Sequence, residues 1–94
     1  MSQRRIRWTN RALQRLDEIG SYIAKDNPEA AARVVARIVL RVEAFAERMG
    51  RPGRVTGTRE LVLTDFPYIV PYRLTQAIEV LTVMHTAQKW PDKF

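Results

Sequence analysis

Nine side chains in the second half of the chain have the chemistry to act on or grip another molecule: Arg59, Glu60, Tyr68, Tyr72, Arg73, His85, Gln88, Lys89 and Trp90. Arginine offers paired N–H donors that match a carboxylate or a phosphate. His85 titrates in a range that suits either acid–base catalysis or an ordinary structural role. Arg59 and Glu60 are adjacent, so on a strand they point to opposite faces and only one can face a given cleft. Following an apolar run, His85 reads first as a satisfied structural residue and second as a catalyst. Trp90-Pro91 reads as an aromatic lid over the edge of the core, with a binding hot spot as the alternative.

Familiar enzyme chemistries are missing. Serine occurs only at Ser2 and Ser21, which leaves a Ser-His-Asp hydrolase without a placed nucleophile. The carboxylates Glu60, Asp65, Glu79 and Asp92 are too scattered for a two-metal nuclease. The Gly-rich stretch 50–57 has no Walker lysine and precedes a strand instead of a helix. With no cysteine and one histidine among 94 residues, neither a disulfide framework nor a structural zinc site can be built. The expectations are therefore no metal, no cofactor, one domain over residues 1–94 and a reducing, cytoplasmic setting. Without an apolar run near the roughly 20 residues of a membrane span, no membrane partner is expected.

The formal net charge is +6, and 13 of the 16 cations are Arg. The whole surplus falls in residues 1–57. A solvated helix face, an acidic partner chain and nucleic acid are all compatible with it.

The elements that must position these residues can be read from periodicity. Ala12, Leu13, Leu16, Ile19, Gly20 and Ile23 recur at helical spacing, predicting a helix over 10–25 with Thr9 or Asn10 as N-cap. Asn27-Pro28-Glu29 then supplies a cap, a proline suited to the first turn and a carboxylate for the positive end of the dipole. The second helix runs to about Met49. Its core stripe is Ala31, Val34, Val35, Ile38, Val42, Phe45 and Met49, and Arg33, Arg37, Arg41 and Arg48 form a basic ridge beside it. Ala32, Ala36, Val39 and Leu40 lie on neither, leaving an apolar back face that either the sheet covers or another helix docks on. Few residues separate the helices, so they should form an antiparallel hairpin. Residues 58–64, 68–74 and 77–84 are β-rich runs joined by hairpin-length turns. Pro71 cannot donate to a ladder, which suggests a bulge or an open edge there. With a short strand over 4–8, the order is β-α-α-β-β-β: an α+β fold, both helices on one face of a mainly antiparallel sheet.

In order and spacing, several segments resemble toxins of the RelE/ParE superfamily of bacterial type II toxin–antitoxin systems. They are WTNRALQRLDEI from Trp8, Tyr22-Ile23-Ala24, NPEAA from Asn27, GTREL from Gly57, PYIVPYRL from Pro67 and VMHTAQKWP from Val83. The resemblance spans nearly the whole chain. It implies a helical hairpin on a small sheet and neutralisation by a co-encoded antitoxin whose C-terminal segment wraps the toxin in a hetero-oligomer. That segment is expected to be acidic and to lie near Arg33, Arg37 and Arg41 and the Val39/Leu40 face. RelE-like members cleave mRNA on the ribosome without metal; ParE-like members poison DNA gyrase and lack the nuclease set. By alignment, the two key arginines of the nuclease branch fall near Ile69 and Ala87, neither of which can stabilise a phosphorane. Arg59 does match a basic position of that pattern. PYIVPYR and HTAQKWP look ParE-like. The resemblance thus implies a gyrase-binding toxin with no active site, its target contacts sought among Arg59, Arg73, His85, Gln88, Lys89 and Trp90. The alternatives are a ribosome-dependent mRNA endonuclease, using Arg59, Arg73 and His85, and a non-toxic adaptor of the same fold.

Overall fold

The computed structural model describes residues 4–94, so Ser2 lies outside the described residues. Strand β1 (Ile6–Trp8) leads directly into helix α1 (Asn10–Ala24), and Thr9 is the residue that caps it. The Thr9 hydroxyl accepts from the Ala12 N–H at 3.1 Å and donates towards the Val80 carbonyl at 2.9 Å, fastening the helix start to the sheet. After a three-residue connection, helix α2 (Pro28–Met49) begins where Asn27 accepts from the Ala30 N–H at 3.0 Å. The hairpin of helices follows from that short connection.

Five strands come after the helices, not three: β2 (Arg51–Pro52), β3 (Arg59–Val62), β4 (Tyr68–Leu74), β5 (Ile78–Val80) and β6 (Met84–His85). The Gly-rich stretch, read from sequence as loop, contributes the two-residue β2, and the last β run is interrupted. In space the order is β1-β5-β4-β3-β2, with β6 also on β4. Among the described residues, only the β1–β5 pairing is parallel. After the two helices the chain enters the sheet at the far edge with β2, and the antiparallel run β2–β3–β4–β5 carries it back beside β1, which β5 meets in parallel.

The interruption explains Pro71. Tyr72 pairs with Val80 and Ile69 with Met84, so three steps along β4 face four along the partner chain. The extra residue bulges opposite Pro71, and the Leu81 N–H donates to the Pro71 carbonyl at 3.0 Å. A proline is tolerated inside a central strand because the ladder there is already broken.

The core lies between the helices and one sheet face. Ile38, Val42, Val70, Tyr72, Val80 and Val83 are fully buried, with Leu16, Ile19, Leu61 and Ile78 beside them. Truncating Ile38 to Ala would cost about 2–5 kcal/mol in lost transfer energy and cavity. Two stripe residues depart from expectation: Leu13 is 51% exposed and Met49 66% exposed.

Candidate functional site

Arg59 stands on β3 facing the helices. Its Nη2 donates to the Gly50 carbonyl, its Nε lies 3.4 Å from the Tyr72 hydroxyl, and that hydroxyl in turn donates to the Ala46 carbonyl. These are carbonyls at the C-terminal end of α2, which have no partner within the helix. Glycine is required at 50, since a Cβ there would sit 1.6 Å from the Tyr72 hydroxyl. The structure therefore places Arg59 in a helix-ending network, half-buried, with its donors engaged inside the chain.

Arg73 lies on the other face. It is opposite Glu79, which is opposite Arg7 on β1, and the Arg7 guanidinium binds the Glu79 carboxylate. His85 pairs with Tyr68 at the far end of β4, five residues from Arg73, or about 17 Å along an extended strand. Its Nδ1 accepts from the Ala87 N–H at 3.1 Å, which holds the turn that follows, and its ring meets Tyr68 edge-on at 5.6 Å. The fold does not bring Arg59, Arg73 and His85 together.

It does assemble a second network that composition alone did not reveal. Glu60, on β3 and only 2% exposed, receives two N–H donors of the Arg51 side chain at 3.1 and 3.3 Å. Arg54 adds its backbone N–H at 2.9 Å, its Nε at 3.0 Å and its Nη2 at 3.3 Å. Burial alone would raise the Glu60 pKa, but the hydrogen bonds from Arg54 and Arg51 and the Arg54 charge outweigh it and hold the carboxyl below its ordinary value. The turn that swings Arg54 back over β3 includes Gly57, whose φ of 78° suits glycine. The outer face of the Arg54 guanidinium stacks on Trp90 at 3.8 Å, and Trp90 meets Phe94 at 6.2 Å. A buried strand carboxylate thus fixes the C-terminal tail through one arginine. Arg54 was missed because it lies in a stretch that reads as loop; its one signal is a cation six residues before a carboxylate across a glycine turn.

Of the tail residues singled out by sequence, Gln88 and Lys89 are exposed and Trp90 is half-buried. The Gln88 side chain accepts from the His85 N–H at 3.2 Å, and among the described residues the Trp90 indole N–H is buried without an acceptor. Together with Pro91 and Phe94 they form one wall of an open groove of about 810 Å³, whose other wall is Arg11, Gln14, Arg15 and Glu18 of α1, with Thr82 and Met84 at its base. Arg15 is tied to the Val83 carbonyl at 3.0 Å and lies 3.7 Å from Glu18.

On α2 the basic ridge is partly neutralised. Asp65, from the β3–β4 connection, lies 2.8 Å from Arg41 and 3.7 Å from Arg37. The apolar back face divides: Val39 packs on the core, while Ala32 and Ala36 are exposed and Leu40 is 61% exposed, one helical turn apart beside Arg33 and Arg37. Further along, Arg41, Phe45 and Met49 face Leu61, Val62 and Leu63 across an apolar groove of about 250 Å³. Among the described residues, no group of three or more His, Asp or Glu is placed to hold a metal ion, and no helix is long and apolar enough to cross a membrane.

Residues 6–90 match the family described as the ParE toxin of the type II toxin–antitoxin system parDE. The chain is 66% identical to the Y4kP protein of Sinorhizobium fredii over 94 residues, covering 98% of each. It is 34% identical to Toxin RelE2 of Caulobacter vibrioides over 83 residues, covering 86% of this chain and 93% of the relative. Among solved structures, a chain of the chromosomal ParDE system of P. aeruginosa superposes with a TM-score of 0.78 at 32% identity, covering 87% of this chain and 95% of that one. A chain of the toxin–antitoxin complex RelBE2 of Mycobacterium tuberculosis gives 0.59 at 25% identity, covering 94% and 97%.

Proposed function

Because the chain belongs to the ParE toxin family of type II toxin–antitoxin systems, we propose that it disables DNA gyrase by binding to it and holds no active site of its own. The observation that carries this reading is the dispersal of the nuclease candidates. Metal-free RNA cleavage needs a base, an acid and a cation within hydrogen-bond reach of one ribose and its phosphate. Here Arg59 is bound into the end of α2, Arg73 lies on the opposite sheet face, and His85 stands at the far end of β4. The higher TM-score against the ParDE chain than against the RelBE2 chain supports the same reading. Target contacts are proposed in the tail, at the exposed Gln88 and Lys89 and the half-buried Trp90.

The silencing partner is proposed to be a cognate antitoxin with an acidic, amphipathic C-terminal segment, forming a hetero-oligomer; the two solved structures named above come from toxin–antitoxin systems. Its contact surface is proposed to be Arg33, Arg37 and Arg41 with Leu40, where charge speeds encounter and apolar burial lengthens residence.

A ribosome-dependent mRNA endonuclease is the second reading, favoured by the 34% identity to Toxin RelE2. Purified toxin is incubated with gyrase and plasmid DNA, and separately with programmed ribosomes. Lost supercoiling or trapped cleaved plasmid is the expected result. Cleavage of mRNA at the ribosomal A site would replace the first reading with the second, and inactivity in both assays would indicate an adaptor.

A further inference from the structure

We propose that the groove between α1 and the C-terminal tail receives an acidic segment of the target protein, with Arg11 and Lys89 as its paired anchors. This rests on the reading that the chain acts by gripping a protein. Among the described residues, most arginines outside the groove are engaged: Arg4, Arg7, Arg37, Arg41, Arg51 and Arg54 in ion pairs, Arg59 on the Gly50 carbonyl. Among the described residues, Arg11 and Lys89 have neither an ion pair nor a side-chain hydrogen bond, yet they stand on opposite walls of the same groove. Gln14 and the Trp90 ring share the same lining. The one side-chain carboxylate among the described lining residues, Glu18, lies 3.7 Å from Arg15. Donors are in excess and acceptors are few, so the complementary ligand is rich in acceptors and negatively charged.

A nucleic-acid strand would also satisfy that description, but two features favour a peptide. Sequence-tolerant strand binding stacks bases on open aromatic faces, whereas Trp90 has one face under Arg54 and its flank against Phe94. The groove wall also carries Glu18, and Met84 and Phe94 give it apolar ground that a phosphate backbone does not use. A short segment with a carboxylate and an apolar neighbour fits both features.

The test uses the full chain with Arg11→Glu and Lys89→Glu combined, and Arg11→Gln with Lys89→Gln as a milder pair should the reversal impair folding. Opposing like charges across an interface costs several factors of ten, so affinity for purified gyrase should fall about a hundredfold or more, and growth arrest on induced expression should be lost. Antitoxin binding and melting temperature should stay at wild-type values. Growth arrest equal to wild type would overturn the proposal. Absence of gyrase binding by the wild-type chain would sink the gyrase reading alone; the growth-arrest result would then still decide this one. A fluorescent 20-nucleotide single strand, DNA or RNA, provides the remaining arm: binding by wild type that the reversal abolishes together with toxicity would make the groove a nucleic-acid surface and overturn the peptide assignment.

Discussion

Glu60 and Asp65 lie five residues apart, and each is held between two arginines, yet the two clusters differ in kind. The Glu60 side chain is 1% exposed and takes five N–H donors from Arg51 and Arg54, whereas the Asp65 side chain is 29% exposed and its contacts with Arg37 and Arg41 face solvent. A carboxylate deprived of water depends on its donors completely, because losing them leaves a buried charge unsatisfied. One that keeps its water exchanges donors at little cost. The first cluster can therefore serve as a fixed point for the tail, and the second as a contact that an incoming carboxylate replaces.

Removing the buried member tests this contrast most severely. Glu60→Ala should lower stability by about 2–3 kcal/mol, short of the full cost of a buried pair because both arginines can turn to water. In a chain of this size that lowers the melting temperature by roughly 10 °C or more, measurable by circular dichroism. A loss under about 1 kcal/mol would place the two clusters in the same class.

Arg54→Ala should cost less, about 1–2 kcal/mol, by breaking one side of the cluster and uncovering Trp90. In a Trp8→Phe background, Trp90 fluorescence should shift to the red. An unshifted spectrum would mean that the tail holds its place without Arg54.

Acid tests the Glu60 cluster by the sign of its pH dependence. Because the folded Glu60 carboxyl is held below its ordinary value near 4.5, its contribution is complete above that value and is lost as pH falls through the lowered one. The stability gap between wild type and Glu60→Gln should be constant near neutrality and close progressively in acid below about pH 4.5. A gap that persists unchanged to low pH would show that the charge of Glu60 contributes nothing.

Asp65→Asn is the smallest perturbation, under about 1 kcal/mol. By releasing Arg37 and Arg41 it should raise the association rate of an acidic antitoxin segment severalfold at low salt, while Arg33→Glu with Arg37→Glu should lower that rate and flatten its salt dependence. Stopped-flow rates insensitive to all three changes would move the antitoxin off this face.

Much of the scaffold was legible because its signals are local. The Asn27 cap and Pro28 mark the start of α2, and the run 68–74 coincides with β4, because caps, dihedral preference and periodicity are settled within a few residues. Even the bulge facing Pro71 was foreshadowed by a missing N–H. The opposite orientation of Arg59 and Glu60 follows from strand alternation alone.

The sequence by itself determined the two helices, the strand runs that became β3 and β4, the class of the fold and the resemblance that placed the chain in its family. Only the tertiary structure decided which charges are left free. Arg59 closes the end of α2 from 9 residues further along the chain, Tyr72 meets the same helix end across 26, Arg54 meets Trp90 across 36 residues, and Arg11 and Lys89 face one groove from almost opposite ends of the chain. An arginine's chemistry is the same at every position; its availability depends on which distant carboxylate, carbonyl or ring the fold sets beside it, and no local pattern encodes that encounter.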